Sequence, residues 1–205
     1  MGVKFYIALF DAWIVKIYII DNGGQWTHRE WRVLRYLKVD AKIIPNTTSF
    51  DSIADADGII LSGGSPNVAA DMDAMGNNGE YLNNFEGPIF GICAGMQFIS
   101  THFGGILGEG TVPEFGKVDL KITDHDGLFK DIPGEIAVWA SHNDEVKEVP
   151  KDFVVSAFSK DCAVEGIRHK TRPIYGVQFH PEVEHTEYGV KMFENFLEAV
   201  RSFKN

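Results

Sequence analysis

The sequence predicts an α/β protein: three layers, with a mostly parallel central sheet, flanking helices and a smaller mixed or antiparallel section. Three observations carry this. The first half alternates short β-rich runs with helical patterns, which implies parallel strands joined by right-handed crossovers. The runs Gly58–Leu61 (GIIL) and Pro88–Ile92 (PIFGI) are apolar without alternation, as in strands covered on both faces. The second half holds β-like runs with only loops between them.

In chain order, Ile14–Ile20 reads as a strand, ended by the turn cluster Asp21-Asn-Gly-Gly24. Trp26, Trp31, Val33, Leu34 and Leu37 mark an amphipathic helix, with Arg29, Arg32 and Arg35 on its other faces. Ala41–Pro45 is a short second strand, Gly58–Leu61 a third and Pro88–Ile92 a fourth. The fourth leads through Cys93 into a helix that Gly104-Gly105 stops near Phe103. The segment 71–80 is polar and Gly-rich and reads as a mobile surface loop near a partner. Val118–Ile122, Ile136–Trp139, Phe153–Phe158 and Ile174–Phe179 are the β-like runs of the second half. A closing helix spans about Tyr188–Phe203, with Met192, Phe193, Phe196, Leu197 and Val200 on one face. Residues 1–14 read as an extension ahead of a single domain over 15–205.

With 205 residues, 44% hydrophobic and 23% charged, the chain suffices for one well-buried domain. Lys+Arg total 19 against 29 Asp+Glu, a net charge of −10 that repels phosphate backbones, so neither nucleic acid nor an anionic membrane is an expected partner. The cluster Arg168-His-Lys-Thr-Arg172 reads as a solvated turn. No apolar stretch approaches the roughly 20 residues of a spanning helix. The run Phe5–Phe10 is cut by Asp11 and is too short for a secretory signal. Two cysteines make no disulfide framework, so the expected setting is reduced and cytoplasmic. With no CxxC or HExxH, and no ligand spacing among His169, His180 and His185, no metal is expected. Cys162 reads as a structural thiol.

Chemistry concentrates at Gly91-Ile-Cys93-Ala-Gly95, a G-x-nucleophile-x-G between a buried strand and a helix. A side chain on so sharp a turn needs small neighbours and a strained backbone. The helix N-terminus favours a thiolate there, and the Ala94 N–H is offered to an oxyanion. A nucleophilic thiol needs a base. His180, in Gly176-Val-Gln-Phe-His-Pro-Glu182, ends a predicted strand, where ligand sites of open α/β sheets gather. Glu182 lies two residues on, on the same side of extended backbone, and orients the imidazole. Ser62-Gly63-Gly64-Ser65 ends the neighbouring strand, and its glycines let backbone N–H groups approach a ligand. Neither GxxxxGK[ST] nor GxGxxG occurs, so nucleotide binding has no support.

SGG, GICAGMQ and FHPEV, in that order and on those elements, resemble the class I (triad) glutamine amidotransferases, over nearly the whole chain from Val15 to the last helix. The resemblance implies that family's flavodoxin-like fold. Asp21–His28, Trp139–Val146 and Phe179–Thr186, above all His185-Thr186, are similar to the glutaminase part of GMP synthetases, and specifically to the separate amidotransferase subunit found in archaea. The resemblance implies that Cys93 attacks the side-chain amide of L-glutamine, with His180 as base then acid and Glu182 as its orienter. Gly64 and Ala94 N–H groups would form the oxyanion hole. Gly63, Gln97 and the Ser141-His142-Asn143-Asp144 loop would hold the glutamine. Ammonia would pass to an ATP-pyrophosphatase subunit that aminates XMP. This chain would carry no cofactor, ATP and Mg being used on the partner. Ser65 replaces the family's usual Pro, Asn143 a usual Gly and Ala94 a usual Tyr or Leu; none removes a catalytic group. Two readings stay open beside this one: service to another ammonia-using synthase, and a stand-alone thiol hydrolase on the same fold.

Overall fold

The computed structural model describes residues 15–204. The extension expected over 1–14 lies outside the described residues, as does the start of the first predicted strand.

Among the described residues, one sheet of nine strands organises the fold. In spatial order, its parallel part is β2 (Asp40–Pro45), β1 (Lys16–Asn22), β3 (Gly58–Gly64), β4 (Ile89–Ile92) and β9 (Ile174–Val177). The rest is antiparallel: β8 (Gly166–His169), β7 (Phe153–Phe158), β5 (Ile106–Ile122) and β6 (Glu135–Glu148). The complete order is therefore β2-β1-β3-β4-β9-β8-β7-β5-β6.

Alternate residues of the parallel strands feed two cores. Ile17, Ile19, Ile60, Phe90 and Ile92 pack with Leu34 of α1 (Thr27–Tyr36) and with Phe193 and Phe196 of α4 (Gly189–Lys204). Tyr18, Ile20, Ile59, Leu61 and Ile89 pack on the other face. There they meet Tyr81 and Leu82 of α2 (Asn78–Asn84) and Phe98 and Ile99 of α3 (Ala94–His102). Burial on both faces is why these strands read as continuous apolar runs. Among the described residues no helix is long and apolar enough to cross a membrane, and both cysteines are free and buried.

Three expectations need correction. The 71–80 segment is no simple surface loop. It forms a 3₁₀ turn over Met72–Met75 and enters α2, with Met75 and Asn78 fully buried and Asn78 donating to Asn22 Oδ1 at 2.7 Å. Tertiary contacts order a stretch that has no hydrophobic period of its own. Ser141–Asp144 is not a loop but part of β6, paired with Phe115, Glu114 and Glu109 of β5. The antiparallel section is appended, as expected, and continues the same sheet. Arg168 belongs to β8, not to a solvated turn, and makes a two-nitrogen contact with Asp124 Oδ2 at 2.7 and 2.9 Å.

Candidate active site

Cys93 stands between β4 and α3 with φ 50° and ψ −109°, a left-handed backbone held by the elements around it. Its N–H donates to the Val177 carbonyl (2.8 Å), and Gln97 N–H donates to its carbonyl (3.0 Å). Gly95 lets the elbow close: a Cβ there would lie 2.1 Å from the Leu61 carbonyl oxygen, so any side chain would push α3 off β3.

His180 follows β9 in the loop 178–188. Its N–H donates to Trp139 O (2.9 Å) and its carbonyl accepts the Thr186 hydroxyl (2.7 Å), while Trp139 N–H donates to that hydroxyl (3.0 Å). Thr186 thus ties the His180 backbone to β6. Nδ1–H donates to Glu182 Oε1 at 2.7 Å, and Trp26 meets the ring edge-to-face with centroids 4.3 Å apart. With Nδ1 taken, Nε2 is left for the Cys93 sulfur. A Cβ built on Gly63 would lie 3.2 Å from His180 Cε1 and 3.7 Å from Cys93 Cβ, so that glycine sits at the meeting point of thiol and imidazole.

His180 and Glu182 are both buried. Burial alone would push the imidazole pKa down. The hydrogen bonds and charges of Cys93 and Glu182 together outweigh it and lift the pKa to about 10. The arrangement favours a charged imidazolium at His180, held by Glu182 and facing the Cys93 sulfur.

A cavity of about 180 Å³ opens beside this line, walled by Cys93, His180, Glu182, Gly63, Gly64 and Glu30. A second, of about 210 Å³, continues past Cys93 along Gly64, Gln97, Ser141, His142, Asn143 and Asp144. The residues expected from the sequence, Ala94 apart, line one or other of these two cavities, which share Gly64, Ser65, Cys93 and Ser141. The Gly64 corner is held by Asn22, whose backbone N–H donates to the Ser62 hydroxyl (3.0 Å) and whose side-chain amide donates to Ser62 O (3.0 Å).

Two side chains are engaged differently from the expectation that they hold substrate. Gln97 Nε2 donates to Asp144 O (2.8 Å) and to Gln178 Oε1 (3.1 Å), so its donors brace β6 against the loop that follows β9. His142 turns into the interior, where Nε2–H donates to Glu114 Oε2 (3.1 Å) with Glu165 Oε1 3.7 Å away. The alternation of β6 dictates this: Ala140 and His142 are buried and Asn143 is exposed. Glu114, His142, Cys162 and Glu165 have donor atoms within 4.8 Å of one another. The cluster is joined by its own hydrogen bonds, with Ser159 donating to Glu114 Oε1 (2.6 Å) and Cys162 N–H to Ser159 Oγ (2.8 Å). Burial opposes the charge on His142, but Glu114 and Glu165 overcome it and lift its pKa to about 10. Burial also opposes the Glu114 charge. There the bonds from His142, Glu165 and Ser159 win and bring its pKa to about 2.

Two functional neighbours escaped sequence reasoning. Gln178, fully buried, points Nε2 at the Cys93 sulfur at 3.6 Å. It lies inside the GVQFHPE motif, and its position two residues before His180 was the available signal. Glu30 lies on the buried face of α1, and a lone acid amid Arg29, Arg32 and Arg35 gave no signal.

Elbow, triad line and doubly covered parallel sheet define a thiol-dependent amidotransferase site. The profile of the glutamine amidotransferase class-I family matches residues 18–200, and the chain belongs to that family. Among its relatives, a glutamine-hydrolyzing GMP synthase subunit of Thermoplasma acidophilum is 49% identical over 191 residues, covering 93% of this chain and 96% of the relative. Its namesake from Thermococcus kodakarensis is also 49% identical, covering 89% and 97%. A crystal structure of a GMP synthase subunit from T. acidophilum superposes with a TM-score of 0.90 at 49% identity, covering 93% of this chain and 96% of that one. A glutamine amidotransferase from Thermotoga maritima shares the fold at 18% identity and a TM-score of 0.71, covering 93% and 84%.

Proposed function

We propose that this chain is the glutamine-hydrolysing subunit of a two-chain GMP synthase, working in the cytoplasm and delivering ammonia to an ATP-pyrophosphatase subunit that aminates XMP. The observation that most supports it is the Cys93–His180–Glu182 line beside the Gly63-Gly64 corner, in a chain so close to proteins bearing that name.

The Cys93 thiolate attacks the γ-carbonyl of glutamine. The developing oxyanion is met by the N–H groups of Gly64 and Ala94, each donor of this kind contributing about 10²–10³ in rate. His180 then gives its proton to the departing amine, releasing ammonia and leaving a γ-glutamyl thioester. It next takes a proton from the water that hydrolyses the thioester, and general catalysis of this kind is worth about 10²–10⁴. Glu182 holds the ring throughout and stabilises its charge whenever it is protonated. Ser141, Asn143 and Asp144 line the groove where the glutamine's amino and carboxylate groups lie. ATP and Mg²⁺ act on the partner.

The test is XMP amination by the chain together with an ATP-pyrophosphatase subunit, supplied with ATP, Mg²⁺ and L-glutamine. The expected result is GMP formation that Cys93→Ala abolishes with glutamine but not with ammonium salt. Glutamine hydrolysis that never couples to XMP, or full turnover without any partner, would contradict the proposal.

A further inference from the structure

The face of α1 turned to the sheet carries Thr27, Glu30 and Leu34, so a carboxyl group sits where a helix ordinarily presents carbon. Glu30 is 1% exposed and walls the same cavity as Cys93, His180 and Glu182. Its carboxyl group faces the backbone N–H of Gly63, the residue before the proposed oxyanion donor. Its Oε2 is buried without a partner, and so is Oε2 of Glu182. Among the described residues no lysine or arginine lines this cavity. The charged and titratable groups facing Glu30 are His180 and Glu182 from the loop after β9, Asp21 from β1, and Cys93 at the elbow. Asp21 is engaged by Gly23 N–H and the Thr27 hydroxyl, both at 3.0 Å, and the His180 cation is held by Glu182.

We propose that Glu30 is a positioning residue of the reaction: an uncharged carboxylic acid that accepts the Gly63 N–H on one oxygen and offers its proton across the cavity to the free oxygen of Glu182, locking the oxyanion strand and the orienter of His180 into one unit. The inference rests on the triad reading given above. A second buried carboxylate beside an ion pair with one cation has no charge to balance it and keeps its proton. Once protonated, the acid is both acceptor and donor, matching the two groups that need a partner. Burial, followed by the negative charge of Glu182, pushes its pKa well above the carboxylate range, against the pull of His180 and the Gly63 N–H. Ionisation would set a second anion against the developing oxyanion and leave Glu182 Oε2 unsatisfied.

Glu30→Gln keeps an acceptor for Gly63 and a donor for Glu182 without a titrating proton, whereas Glu30→Ala keeps neither. In glutaminase assays of the complex across pH, the wild type should lose activity on the alkaline side as Glu30 ionises. The Gln variant should stay near wild type at neutral pH and lose activity only at the higher pH where His180 gives up its proton, and the Ala variant should fall about tenfold, as for a lost hydrogen bond in a preorganised site. Alkylation of Cys93 by chloroacetamide at neutral pH should follow the same order. The infrared carbonyl band of a buried carboxylic acid should be present in the wild type and absent from Glu30→Gln. A Gln variant whose alkaline loss falls at the same pH as in the wild type, Gln and Ala variants that behave alike, or a wild type without the acid band would each overturn the proposal. The alkylation and infrared readouts need no glutamine turnover, so a complex silent toward glutamine would count against the proposed function alone.

Discussion

Cys93 holds a left-handed backbone that a non-glycine residue keeps only when its surroundings over-determine it. The Val177 carbonyl, the first turn of α3 and the close approach of Gly95 to Leu61 supply that constraint. Beyond the triad, the sulfur receives the Gln178 amide, which itself accepts from Gln97, which in turn donates to Asp144 O. A chain of hydrogen bonds thus runs from the nucleophile to the strand that walls the groove. Gln178→Met keeps the volume and removes the donor. Its kcat/KM should fall about tenfold, the value of one charge-assisted hydrogen bond, with slower alkylation of Cys93. Turnover and alkylation equal to wild type would show that the amide does not support the thiolate.

At the scale of elements, β5, β6 and the turn before β8 are fastened by the buried group Glu114, His142 and Glu165. The Glu165 acid is lifted from 4.5 to about 7, chiefly by burial. A raised folded-state pKa contributes stability that is complete below about 4.5 and is lost as pH rises through about 7. His142 has the same sign in a later window, from 6.5 to about 10. Glu114 has the opposite sign, its contribution being lost only as pH falls from 4.5 through about 2. Glu165→Gln removes the ionisation and keeps the shape. It should raise the melting temperature at pH 8 by roughly 3 °C, on the order of 1 kcal/mol for a chain of this size, and should change little near pH 4. A variant less stable than wild type at pH 8 would mean that the Glu165 carboxylate is needed in ionised form. Sequence patterns exposed some elements and hid others for physical reasons. β1, β3 and β4 were legible because both faces of each are covered. β5 was seen only over Val118–Ile122, since most of its earlier residues are exposed or half-buried and carry no apolar pattern. α2 was missed because Asn78 and Gly79 are poor helix formers held by tertiary bonds.

Across the whole molecule, the order β2-β1-β3-β4-β9 places the C-terminal ends of β3, β4 and β9 side by side, although β4 and β9 lie far apart in sequence. The glycine corner, the elbow and the imidazole each end one of these strands, and that is what makes the site. The triad was legible because each member lies in a short motif with fixed local geometry. Glu30 was not, because only the packing of α1 onto the sheet shows which way that side chain turns. Cys162 provides an internal control: buried in the Glu114–Glu165 cluster, its thiol is pushed far up by burial and by the Glu165 charge. The most direct test of the convergence of Cys93 with His180 is stoichiometric labelling by a glutamine-shaped chloroketone, mapped by mass spectrometry in the wild type and in His180→Ala. The account predicts one adduct, on Cys93, lost or strongly slowed in the variant and blocked by L-glutamine; labelling of Cys162 at a comparable rate, or labelling of Cys93 indifferent to His180, would contradict it.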